Sequence, residues 1–152
     1  MVNDKKNREN CKMKLEIELV PETAWGNNIR TFFTKTEWDK LRRECYRKAG
    51  YVCEICGGKG PEWPVECHEV WEYKNGKQKL IRLIAICPKC HNCKHFGRSS
   101  VMGLKQECRE HLMKVNDITS EQLNEYLTKK FKKWREQSKK EWVLDLSILK
   151  KE

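Results

Sequence analysis

The sequence predicts an α+β fold, and three observations carry that prediction. Two Cys-x2-Cys pairs, Cys53/Cys56 and Cys87/Cys90, bracket 30 residues. Within the bracket, two strand-like runs flank Asn75-Gly76, a strong hairpin signal. Apolar residues at helical spacing lie on both sides of it. The 152 residues suffice for one ordinary domain. Its patterns divide it into residues 1–12, 13–50, 51–97 and 98–152, with an N-terminal strand and helix before the bracket and helices after it.

Residues 1–12 are polar and read as a mobile N-terminus. Met13–Val20 alternates, with Leu15, Ile17 and Leu19 on one side and Lys14, Glu16 and Glu18 on the other. That is a half-buried strand, ended by Pro21. Residues 21–35 read as loop. Thr36 is the expected N-cap of a helix, with Asp39 three positions on. Trp38, Leu41, Cys45 and Ala49 would form its apolar face, and Gly50 its C-terminal stop. Val65–Tyr73 and Lys77–Ile86 are the hairpin strands. A two-residue turn sets Lys74 opposite Lys77, and an unbroken register then sets Glu69 opposite Arg82 and His68 opposite Leu83. A short helix is expected from Cys87 through His95, stopped at Gly97. Another carries Val101, Leu104, Cys108, Leu112 and Val115 up to Asn116-Asp117. Thr119 with Gln122 forms a capping box for a last helix with Leu123, Tyr126, Leu127, Phe131 and Trp134 on one face. In the tail, Trp142, Leu144 and Leu146 alternate as a short strand or a packed extended segment.

Composition narrows the function classes. No apolar run approaches the ~18 residues of a membrane helix. No signal-peptide pattern opens the chain, so a cytoplasmic protein, bacterial or of a phage-infected cell, is expected. The nine cysteines should then be thiols, and so many thiols suggest metal. Cys53, Cys56, Cys87 and Cys90 have the spacing of a tetrahedral zinc site, closed by the hairpin that returns the second pair to the first. The alternative is four buried thiols without a metal. Cys11, Cys45, Cys93 and Cys108 read as free thiols.

Three of the four histidines lie within or just after the bracket: His68 on the first strand, and His91 and His95 four apart on one helical face. His111 reads as a surface or core residue. From Tyr51 to Gly97, roughly a third of the chain, the pattern resembles the HNH nucleases, with their ββα-metal (His-Me finger) core, in the subset that carries a four-cysteine zinc. The flanking stretches also resemble phage and bacterial proteins identified as HNH endonucleases, whose functions are untested. The resemblance implies a metal-dependent endonuclease that hydrolyses phosphodiester bonds. It makes His68 the general base, and His91 and His95 ligands of a catalytic divalent cation (Zn²⁺, Mn²⁺, Ni²⁺ or Mg²⁺). Cys67 stands where the family has a metal-binding Asp or His. Arg82 stands at the catalytic Asn position, a departure that opens the alternative of an inactive HNH-like zinc scaffold binding nucleic acid or a protein partner. A zinc-ribbon interaction module with incidental histidines is a third possibility.

The net charge of +10 favours a nucleic-acid partner, double-stranded DNA above all. Lys94, Arg98 and Lys89 lie beside the histidines, and Lys132, Lys133 and Arg135 belong to a basic run at 129–140. A solvated helix face is the plain alternative for that run.

Overall fold

Asn75 and Gly76 both take left-handed backbone, at φ 52° and 71°, as a two-residue hairpin turn of this hand requires. In the computed structural model, which describes residues 13–149, this turn joins β1 (Glu66–Lys74) to β2 (Lys77–Ile86). The stretch expected to be mobile, with Cys11, lies outside the described residues. Lys74 faces Lys77 as expected, but a bulge between Val70 and Trp71 advances the register by one. Glu69 therefore faces Leu83, His68 faces Ile84, and Arg82 faces Val70. The tail supplies β3 (Val143–Asp145), parallel to β2, giving a three-stranded sheet in the order β1-β2-β3. The protein is thus mixed α+β.

The segment before the hairpin starts with a short helix, α1 (Ile29–Phe32), inside the expected loop. The following helix, α2 (Lys35–Lys48), is capped by Thr34 and not by Thr36. Thr34 accepts from the Glu37 N–H while the Glu37 carboxylate accepts from the Thr34 N–H, a reciprocal box that Thr36 and Asp39 do not make. Asp39 instead pairs with Arg42 at 2.8 Å. Gly50 follows the helix at φ 64°, as its C-terminal stop.

Residues 13–20 bend at Lys14 and Leu15 and belong to no sheet, which corrects the expected N-terminal strand. Their backbone is satisfied from elsewhere. The Asn116 amide accepts from Leu15 N–H and donates to the Leu15 carbonyl, both at 2.9 Å. The Tyr126 hydroxyl accepts from Ile17 N–H, and the Lys94 carbonyl from Glu18 N–H. Leu15 and Ile17 are buried, so the alternation is real although no strand forms.

After β2 the chain breaks into two short helices, α3 (Pro88–Lys94) and α4 (Phe96–Val101). The first ends at His95, and Gly97 lies inside the second, not at a stop. Val101 is exposed and belongs to α4; the next helix, α5, spans Lys105–Asn116 and ends at left-handed Asp117. The last, α6 (Ser120–Gln137), has the expected Thr119–Gln122 capping box and buries Leu123 and Leu127. Among the described residues no helix is long and apolar enough to cross a membrane.

Candidate functional site

Two clusters of ligand-type side chains share α3: Cys90 belongs to one, His91 and the C-cap His95 to the other. At the first, the sulfurs of Cys53, Cys56, Cys87 and Cys90 lie within 4.8 Å of one another. The Cys56 and Cys87 sulfurs are 3.6 Å apart. Four thiolates around a Zn²⁺ with bonds near ~2.3 Å would stand about 3.8 Å apart, so the set fits a structural metal such as zinc. The two turns are built alike. Cys53 Sγ accepts from the Cys56 N–H at 3.4 Å, and Cys87 Sγ from the Cys90 N–H at 3.5 Å. Pro88, at the first helical position, starts α3 directly from Cys87. Donation from Cys90 pulls the Cys53 thiol down to about 4 against the opposing effect of burial, and the same hydrogen bond, with burial, pushes the Cys90 thiol up. Glu54 ties the first turn to β2: its carboxylate accepts from the Ala85 N–H at 2.7 Å and from Arg82 at 2.6 Å.

The second cluster is His68, His91 and His95, whose ligand nitrogens also lie within 4.8 Å of one another. His91 and His95 are one turn apart, and their Nε2 atoms stand 3.2 Å apart. Two nitrogens bound tetrahedrally to one ion at ~2.0–2.1 Å would stand about 3.3–3.4 Å apart. Strand alternation puts Glu66 and His68 on one face of β1. Glu66 Oε2 lies 3.2 Å from His91 Nδ1, which leaves Nε2 for an ion, and Glu18 Oε2 lies 2.6 Å from His68 Nε2. Burial and then the neighbouring imidazoles depress both helical histidines, His95 to about 4, so both rings are neutral at pH 7, the state a metal requires. Burial works to raise the Glu18 carboxyl, but the His68 hydrogen bond, His68 charge and Lys94 together hold it below the usual range.

No protein-family model matches the chain, and neither curated proteins nor solved structures yield a match. What the site does must therefore be read from its own geometry.

The same alternation that joins Glu66 to His68 turns Cys67 the other way. Its thiol meets that of Cys45 on α2; it borders the same cavity but stands outside the group of three imidazoles that its expected place as a ligand would have it join. Arg82 is likewise not brought to the imidazoles; half-exposed, it holds Glu54 and does not line the cavity beside them. Lys94 is buried, with its ammonium 3.6 Å from Glu18, so it supports the site carboxylate and is no exposed phosphate contact. Arg98 is exposed and lines the cavity. Lys133 lines an adjoining hollow that shares Glu18, Trp71 and Trp134 with it, while Lys132 and Arg135 are exposed on α6. Lys89 lies on the other side, in a hollow with His111.

Three residues that contact the two clusters escaped the sequence reading. Glu18 and Glu66 were hidden because a carboxylate on an alternating segment reads as solvent-facing. His111, on α5, places Nε2 3.2 Å from Cys90 Sγ, where an N–H donor stabilises a thiolate. Its only signal was helical spacing, which set it beside the buried Cys108 and Leu112.

Proposed function

We propose that the protein is a metal-dependent endonuclease of the HNH type, hydrolysing phosphodiester bonds in DNA, with a structural zinc at the four cysteines. The observation that carries this reading is the convergence of three imidazoles, from one hairpin strand and the helix after it, at a cavity with cationic residues on its rim. In this reading Glu18 accepts the Nε2–H of His68. That fixes the tautomer and leaves Nδ1 as the acceptor for a proton from water. His91, oriented by Glu66, and His95 hold a divalent cation. When bound, that ion offsets charge on the phosphate and on the leaving 3′ oxygen. Arg98 contacts the phosphate backbone.

The second reading is an inactive HNH-like zinc scaffold that binds nucleic acid or a protein partner. The engagement of Arg82 with Glu54 favours it, because the residue at the position of the family's Asn is then held away from the imidazoles. Supercoiled plasmid, incubated with Mg²⁺, Mn²⁺, Ni²⁺ or Zn²⁺, separates the two. Nicking that is lost in His68→Ala supports the nuclease. Plasmid binding with no nicking in any metal rejects it and leaves the scaffold.

A further inference from the structure

Resting on that reading, we propose that the cavity beside the imidazoles seats an unpaired nucleobase, so that the protein acts on single-stranded or frayed DNA. The cavity holds about 840 Å³. That lies in the ~300–1,000 Å³ range of sites that enclose organic ligands, and a phosphate backbone running over a metal needs no such enclosure. Its walls include four of the chain's six tryptophans, Trp25, Trp38, Trp71 and Trp134, next to His68, His91 and His95.

Two of these rings are held in place from behind. Trp25 Nε1 donates to the Val20 carbonyl at 2.8 Å, and Trp134 Nε1 donates to the same carbonyl at 2.9 Å. One acceptor thus anchors two indoles from distant parts of the chain. Yet Trp25 remains 64% exposed. A core tryptophan would be covered, and an unanchored surface one would lose rotamer freedom on binding. Trp25 is exposed and already fixed, as a stacking platform should be. Trp38, by contrast, is buried with the Arg30 guanidinium 5.1 Å from its ring centroid, and serves as wall.

The polar groups agree. Arg30 and Arg98 line the cavity and take part in no ion pair among the described residues. Gln78 also lines it, wholly buried, and its Oε1 is without a hydrogen-bond partner. That oxygen is itself covered by protein, and Arg30 and Arg98 are the exposed cationic groups beside a bound base.

The test uses the zinc-loaded full chain and a fluorescein-labelled mixed-sequence oligonucleotide, single-stranded or folded into a hairpin duplex. Binding is read by anisotropy without added divalent metal. The single strand should bind more tightly. Trp25→Ala should weaken that binding roughly 5- to 100-fold, the loss of one stacked base, and leave duplex binding unchanged. Trp25→Phe should restore most of it, and equal melting temperatures show that the fold is intact. Equal affinity for the two forms, or an unaffected Trp25→Ala, overturns the base pocket. The same substrates with Mn²⁺ separate this inference from the nuclease reading. Single-strand cleavage that is indifferent to Trp25 sinks the pocket and keeps the nuclease. Trp25-dependent binding with no cleavage in any of the four metals keeps the pocket and sinks the nuclease.

Discussion

Glu66 shows how a single carboxylate sets the chemistry of a site it does not itself form. Its hydrogen bond to His91 Nδ1 presents Nε2 to the space shared with His95. Glu66→Gln weakens that orientation and the ring's basicity. Metal affinity at the histidines should fall about 10- to 100-fold, measured by calorimetric Mn²⁺ or Ni²⁺ titration, while the four-cysteine metal stays bound. An unchanged affinity would show that the carboxylate plays no part. Gly60 is a second residue with little slack. A Cβ there would lie 2.2 Å from the Trp63 carbonyl and 2.8 Å from the Pro88 ring, which lies between Cys87 and Cys90. Gly60→Ala should therefore destabilise the protein by roughly 1–3 kcal/mol in chemical denaturation, as overpacking does. At this scale the sequence was partly legible. Spacing picked out the four cysteines, and the family resemblance picked out the three histidines that the fold brings within 4.8 Å of one another. Cys67 was given its place by the family resemblance, whereas strand alternation sends it to the face opposite His68. Lys94 was misread because a charge usually faces solvent, and here Glu18 supplies a buried partner.

Elements were legible where local chemistry closes on itself. The hairpin turn and the Thr119–Gln122 box follow from a few neighbouring residues, and both formed as expected. The start of α2 had two candidate caps, and only Thr34 has a Glu at the third helical position. Thr34→Ala should cost about 1 kcal/mol of stability and Thr36→Ala almost nothing, a comparison that thermal unfolding of the two variants decides. The bulge at Val70/Trp71 left no sequence signal and shifted everything beyond it by one residue. Residues 13–20 failed for a different reason. Alternation reports burial on one face, but a strand also needs a ladder partner, and here side chains took that role. Asn116 alone serves both polar groups of Leu15 from a hundred residues away in sequence. Asn116→Ala strands both, and should destabilise the fold by about 1–3 kcal/mol. Because Glu18 lies three residues past Leu15, the same variant should lower metal affinity at the histidines, whereas a surface substitution on α6 should not.

For the whole molecule, the two clusters divide the labour. With a metal bound, the four sulfurs would fasten the chain before β1 to the start of α3, and so fix the helix that leads through His91 to His95 against the strand that carries His68. Charge and cysteine content pointed at this scale to metal and to a polyanion, because both act through totals that need no fold. The cavity walls, assembled from residues 18 to 134, were beyond any reading of local pattern. If the sulfurs bind metal as the spacing and geometry indicate, the coupling has a direction. Removing the structural metal, by Cys87→Ser or by a strong chelator, should cost on the order of 10 kcal/mol of binding energy, unfold the hairpin region, and abolish metal binding at the histidines with it. Removing the second metal by His91→Ala should leave the fold intact and the four-cysteine metal in place. Metal content by mass spectrometry, with circular dichroism on the same samples, reads both. The arrangement predicts two metals per chain in the wild type, one in His91→Ala, and a disordered hairpin in Cys87→Ser. A Cys87→Ser protein that stayed folded and still took up metal at the histidines would show that the sulfur cluster does not hold the catalytic geometry together.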